Sequence, residues 1–201
     1  MAYADFTLES AETAFGLVAQ PGDLFPELRP VAIPLWLPET LERGRQLAAL
    51  ASEKARSEFL VGPILLAACE SARGRVTVFS GHRLDVDPKR GLMGECDFII
   101  ALTPPIPRLR SPLATIVEAK RGEIELGLGQ CVAQMVGAQV FNDRSGTTVP
   151  TIYGCVTTAN DWQFLRLRGN ELVMDRQLYF ISQLDLILAA LRVSVCLLYT
   201  S

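Results

Sequence analysis

Histidine is almost missing from this chain, with His82 the only one. A His-based catalytic triad or a His-rich zinc site therefore has a single member and no obvious partners. Cysteine occurs five times, at Cys69, Cys96, Cys131, Cys155 and Cys196, each alone and never as CxxC. That scatter excludes a zinc ribbon or a thioredoxin-like motif and reads as small buried hydrophobes in a reducing compartment. Charge of one sign is lacking too. The formal net charge is −3 and Arg far outnumbers Lys, so no overall field draws in a polyanion, and contact with nucleic acid has to come from a local patch. No apolar run approaches the roughly 18 residues of a membrane span. Runs of Gly/Ser, of like charge or of Gln/Asn are missing, as are internal repeats. The N-terminus, MAYADFTLESAETAFG, is acidic and has no basic region followed by an apolar run, unlike a secretory signal. The expectation is a cytoplasmic protein without a membrane partner.

What is present is enough apolar material for one core: 49% of 201 residues. Residues 1–38 read as an arm packed on the core, with a short helix at Leu8 to Phe15 and then a Pro-punctuated stretch. A single domain is expected over 39–192. It opens with a long helical run ending at Gly74, whose stripe is Leu41, Leu47, Leu50, Phe59, Leu60, Ile64 and Leu65. Strand-like runs follow, RVTVFSG, HRLDVDP, GECDFIIALT and LATIVEAK, in an order that predicts a meander. The segment GEIELGLGQCVAQMVGAQVFND places Ile124, Leu128, Val132, Met135 and Val140 at helical spacing. VPTIYGCVTTA, WQFLRLRG and ELVM then read as strands, and a last helix runs from about Phe180 to Leu191. The residues after Arg192, VSVCLLYTS, break the helical pattern and read as a non-native or truncated tail. The order predicts an α+β or three-layer α/β domain, with a mixed central β-sheet flanked by helices.

One group of residues carries chemistry. Side chains alternate along a strand, so Glu118 and Lys120 of IVEAK leave the same face as Ile116. Asp97 lies inside the apolar strand ECDFII, where an unpaired carboxylate costs several kcal/mol. If the two strands are antiparallel neighbours, Asp97 lies across from Glu118 and Lys120, and two carboxylates meet an ammonium. Hard ions such as Mg²⁺ (or Mn²⁺) favour oxygen ligands and commonly use one or two protein carboxylates. A neighbouring lysine can orient or deprotonate a water, or neutralise charge on a pentavalent phosphorane. These parts suit phosphodiester hydrolysis.

In this order, GLMGECDFII, IVEAK and GLGQCVAQMVGA resemble the core of the PD-(D/E)xK nuclease-like superfamily, in its RecB-like and restriction-endonuclease-like branch. The likeness is greatest to small bacterial members frequent in cyanobacteria, and it spans about residues 57–167. It implies a restriction-endonuclease-like core and a Mg²⁺-dependent endonuclease or exonuclease acting on nucleic acid, DNA before RNA. By the resemblance, Asp97 and Glu118 are metal ligands with the Ala119 carbonyl, Lys120 is the catalytic lysine, Gln130 helps hold the site or the phosphate, and Glu58 is an acid directed at the metal. The Pro-Asp dipeptide of the family name is missing, since Cys96 precedes Asp97.

Other signals rank lower. GLGQCV imitates a dinucleotide-binding GxGxxG but lacks its third Gly and a preceding strand. Asp85 and Asp87 are reserve acids in what reads more simply as a strand ending in a turn, and His82 suits a surface or strand edge. Trp162, Phe164, Arg166 and Arg168 alternate along one strand; Trp162, Arg166 and Arg168 are candidate nucleic-acid contacts, against an ordinary amphipathic strand. The alternative to a nuclease is a catalytically silent nuclease-like domain that binds nucleic acid or a partner protein, with room for a homo-oligomer.

Overall fold

Every residue of LATIVEA is buried, which requires a strand inside a sheet with cover on both faces. The protein's structure, a computed structural model, describes residues 1–47, 52–72, 74–147 and 149–196, the last without its side chain. Its strands are β1 (Val18–Gly22), β2 (Thr77–Arg83), β3 (Glu95–Ala101), β4 (Leu113–Ala119), β5 (Ile152–Thr157), β6 (Asp161–Arg168) and β7 (Glu171–Phe180). They form one mixed seven-stranded sheet ordered β1-β7-β6-β5-β4-β3-β2. β2, β3 and β4 are the expected antiparallel meander. β5 lies parallel to β4, and parallel neighbours need a crossover, which α5 (Glu125–Arg144) provides.

Helices cover both faces of the sheet. On one side α1 (Leu8–Phe15) and α5 enclose a cluster with Ile99, Ile116, Val132, Met135 and Leu165. On the other, α2 (Trp36–Leu47), α3 (Glu53–Arg56), α4 (Gly62–Cys69) and α6 (Leu184–Cys196) lie over a cluster with Ile64, Val117, Cys155, Trp162 and Leu188. The three-layer α/β expectation therefore holds.

Several expectations change in detail. Within residues 1–38, Tyr3, Phe6 and Ala11 are buried, and Val18–Gly22 enters the sheet parallel to β7. The edge position is what tolerates Pro21 in a strand. The long first helix is not one rod. Ser57–Val61 is a π-turn, in which the Gly62 N–H reaches back to the Ser57 carbonyl; Pro63, having no N–H, cannot continue the regular ladder. Of the expected stripe, Leu41, Leu60, Ile64 and Leu65 are buried, whereas Leu47 and Phe59 are exposed; Leu50 lies outside the described residues. HRLDVDP is not a separate strand, because β2 runs through to Arg83 and a 3-10 turn follows at Pro88–Arg90. α6 continues to Cys196, with Ser194 and Val195 buried, so residues 193–196 belong to the domain; the rest of the expected tail, 197–201, lies outside the described residues.

The buried Asn142 carboxamide fixes the start of β4, accepting from the Leu113 N–H and donating to the Leu113 carbonyl, both at 2.8 Å. Asn142→Ala leaves two buried main-chain groups without partners, at about 1–3 kcal/mol each. We expect a loss of about 3 kcal/mol in urea unfolding with an unchanged m-value, while an exposed control such as Glu9→Ala stays within about 0.5 kcal/mol of the parent.

Candidate functional site

At its other end β4 carries Glu118, and Lys120 follows two residues on, just past the strand's last residue, Ala119. Glu118 is 1% exposed and faces α5, as the alternation with Ile116 requires. The Lys120 ammonium donates to Glu118 Oε1 at 2.8 Å and to Gln130 Oε1 at 3.0 Å. Gln134, one turn along α5 from Gln130, donates through Nε2 to Glu118 Oε2 at 2.9 Å. One turn the other way stands Gly127, where an added Cβ would lie 3.0 Å from Lys120 Cγ and 2.6 Å from Val156 Cγ1. The missing side chain leaves the channel in which the lysine stem lies.

Asp97 approaches from β3. The β3–β4 register pairs Phe98 with Val117 and Ile99 with Ile116, and one further residue sets Asp97 against Glu118. Here the pleat is interrupted. Cys96 and Ile99 pack under α5 while Phe98 packs on the opposite face, so the alternation slips at Asp97. Beside it on β2 stands Gly81 at φ +59°, a backbone state that glycine adopts without steric cost. Freed from the regular pleat, the Asp97 carboxylate accepts from the Ala119 N–H at 2.8 Å and lines a cavity of about 390 Å³ with Glu53, Lys54, Ser57, Glu58, Ser80, Gly81 and Glu95.

The helical run above β4 is fastened to the segment that leaves the strand. Glu53 Oε2 accepts from the Arg121 N–H at 3.1 Å, and Arg56 Nη1 donates to the Arg121 carbonyl at 3.2 Å. α3 thereby holds both main-chain groups of the residue after Lys120.

Burial pushes the Glu118 carboxyl up to about 7, and the neighbouring Asp97 charge adds to this against the opposing pull of Lys120 and Gln134. Asp97 is also raised, first by burial and then by Glu53, although the Ala119 N–H and Lys120 favour its charged form. Burial alone would lower Lys120, but Glu118, Glu53 and Asp97 together raise it, so it remains an ammonium. The site is a carboxylate pair short of positive charge, the condition that a divalent ion relieves. Each Glu118 oxygen has one protein donor, while a carboxylate offers about four lone-pair positions. Among the described residues no three His, Cys, Asp or Glu side chains gather into a metal-holding group. Asp97 at the wall of a water-accessible cavity, with Glu118 buried beside it, is nevertheless compatible with the partial protein coordination that Mg²⁺ adopts.

The structure brings Asp97, Glu118, Lys120 and Gln130 together. Ala119 enters through its N–H, given to Asp97. Glu58 lines the same cavity but is exposed and lies 3.8 Å from Lys54; the helix acid that Asp97 and Lys120 both feel is Glu53. Sequence reasoning missed Glu53, Gln134 and Gly127. The spacing of Gln130 and Gln134 by four, on the face that begins with Gly127, was the available signal.

The remaining candidates have other roles. Asp85 pairs with Arg83 at 3.0 Å and accepts from the Gly94 N–H, while Asp87 caps the 3-10 turn. His82 lies on the edge strand β2 with its ring edge-on to Phe79. GLGQCV is interior to α5, and Gly129 is there because a Cβ would strike the main chain of Phe6 to Leu8. Trp162 has no surface for a base to stack on: it is fully buried and donates to the Ala159 carbonyl. Arg166 pairs across to Tyr153, whose other neighbour is Thr115, and the exposed Arg168 lies farther along still. Both are toward the end of the sheet away from Glu118.

Comparison with protein-family models gives no match, and comparison with curated proteins gives none either.

A raised carboxyl stabilises the fold while protonated, so the Glu118 contribution is complete below its ordinary value of 4.5 and is lost as pH rises through about 7. Glu118→Gln keeps an acceptor for Lys120 and removes the charge. We expect the variant to gain on the parent progressively between pH 5 and pH 8 in thermal unfolding, by up to about 3 kcal/mol. A constant difference across that range would contradict the assignment.

Proposed function

We propose that the protein is a divalent-metal-dependent nuclease of the PD-(D/E)xK type, hydrolysing phosphodiester bonds of DNA or RNA at Asp97, Glu118 and Lys120. The observation that carries this reading is the meeting of two raised carboxyls from adjacent strands with a hydrogen-bonded lysine, one of those carboxyls, Asp97, lining a cavity. The order of parts supports a restriction-endonuclease-like core: a helix, an antiparallel meander with Asp97 on its second strand and E-x-K on its third, a helix bearing Gln130, then a strand parallel to β4. Asp97 and Glu118 would hold Mg²⁺ or Mn²⁺, and the Ala119 carbonyl would be a further oxygen donor. When bound, such an ion supplies Lewis-acid polarisation of a phosphoryl oxygen.

The other steps belong to the chain. Lys120 keeps its proton, aligned by Glu118 and Gln130, and can neutralise charge that builds on the phosphoryl oxygens. Gln134 fixes one Glu118 oxygen, and the α3 clamp on Arg121 keeps the E-x-K backbone from shifting. Preorganisation of this kind matters because misplacement by about 1 Å can cost about a hundredfold in rate.

The two-carboxylate inventory also favours a second reading, a nuclease-like domain that binds nucleic acid or a partner protein without cutting it. Cleavage of single-stranded, double-stranded and branched oligonucleotides, with Mg²⁺ or Mn²⁺ and with chelator, separates the two. The nuclease reading expects metal-dependent products from the wild type and a loss of about a hundredfold or more in Lys120→Ala and Asp97→Ala. Wild-type protein that binds these substrates in a salt-sensitive, metal-independent way and leaves all of them intact is the silent domain.

A further inference from the structure

The helical run over β4 presents two lined faces. Glu53, Lys54, Ser57 and Glu58 wall the acidic cavity with Asp97. Arg56 and Leu60, one turn apart on another side of the run, wall a smaller cleft of about 150 Å³ with Arg45, Thr158 and Asn160. Sheet order relates the two. β3 carries Asp97 and β5 leads into Thr158 and Asn160, and these strands flank β4 on either side. The cavities therefore bracket the end of the strand that bears Glu118 and Lys120.

Both walls of the small cleft are tied to the main chain around Lys120. Arg56 donates to the Arg121 carbonyl at 3.2 Å, and the Lys120 N–H donates to the carbonyl of Thr157, next to Thr158, at 2.7 Å. The chemistry of the cleft is opposite to that of the acidic cavity. Its described lining holds two guanidinium groups, a carboxamide and a hydroxyl, and no carboxylate. The acid paired with Arg45 is Glu42, at 3.9 Å with both side chains well exposed, a contact that competes weakly with a ligand. Thr158 is committed to Asp161 at 2.9 Å and Arg56 to the Arg121 carbonyl, so Arg45 and Asn160 are the donors to be used. Forked guanidinium donors in a half-open recess suit phosphate oxygens.

We propose that the cleft bounded by Arg45, Arg56 and Asn160 is a phosphate subsite, taking a phosphate of the same nucleic-acid strand whose neighbouring phosphodiester lies at Glu118 and Lys120. This rests on the nuclease reading of the E-x-K site. It also accounts for how a chain of net charge −3 engages a polyanion: attraction is local, one strand away from the acids, rather than a field of the whole molecule.

The test is fluorescence anisotropy of a single-stranded oligonucleotide, with a 5′-phosphate and with a 5′-hydroxyl, in Ca²⁺ at several salt concentrations. The proteins are wild type, Arg45→Ala and Asn160→Asp, each checked for fold by circular dichroism. Arg56 is left intact because its bond to the Arg121 carbonyl ties it to the fold. The subsite predicts that Arg45→Ala weakens binding by about three- to tenfold and lowers the log–log salt slope by about 0.7, the value for one phosphate contact on a single strand. Asn160→Asp, which adds a carboxylate to the cleft, weakens it further. Equal losses on both oligonucleotides assign the cleft to an internal phosphate, and a loss confined to the phosphorylated one assigns it to the strand terminus. Unchanged affinity and slope in both variants overturn the subsite and, if Asp97→Ala still abolishes metal-dependent cleavage, leave the nuclease reading standing. Wild-type protein that binds neither oligonucleotide overturns both.

Discussion

The arrangement depends on a carboxylate held inside the sheet. Glu118 is 1% exposed, on a strand whose seven residues are all buried. Taking a carboxylate and an ammonium out of water costs more than their attraction commonly returns, and apolar replacements of such pairs are often as stable or more so. Here a second acid, Asp97, adds repulsion. Stability alone does not call for this cluster, whereas the proposed cation-binding, phosphoryl-stabilising site would. The surrounding structure supports it accordingly: Gln134 on one oxygen, Lys120 on the other, Gln130 behind the lysine, and the Ala119 N–H on Asp97.

The fold can be understood as the means of holding β4 still. α5 is fastened to it at both ends, by Asn142 at Leu113 and by the two glutamines at Glu118 and Lys120. On the opposite face, Thr115 donates to the Ser194 carbonyl of α6, and α3 grips Arg121 beyond the end of the strand. Glycine makes two of these approaches possible, at Gly127 under the Lys120 stem and at Gly129 against the start of α1. The site thus stands on a strand and a helix rather than on mobile loops, which is where geometry is kept most closely.

Much of this was legible in the residue pattern, for identifiable reasons. The two-residue alternation of a strand put Glu118 and Lys120 on one face, and the short interval between ECDFII and IVEAK made neighbouring strands the natural reading. The meander, α5 and the three layers followed from the hydrophobic periods. What stayed hidden depends on contacts between elements. Gln134 reads as an ordinary helix polar residue until α5 is laid on β4. Glu53, not Glu58, is the acid felt by Asp97 and Lys120, and the run that carries both is broken by a π-turn at Ser57–Val61 that helical periodicity does not announce. β1 contains Pro21 and pairs in parallel with a strand more than a hundred residues away, so no local pattern announces it. Trp162 stayed open as a stacking candidate beside the ordinary amphipathic strand because alternation alone does not say which face of β6 the helices cover.

The central claim is that Asp97 and Glu118 form a cation site, and calorimetric titration of Mn²⁺ into the wild-type protein and into Asp97→Ala and Glu118→Ala addresses it most directly. The account predicts one binding event in the wild type that disappears in both variants while their circular dichroism is preserved. Mn²⁺ binding that persists in both variants, or a wild type that binds no Mn²⁺ even with an uncleavable oligonucleotide present, would contradict it.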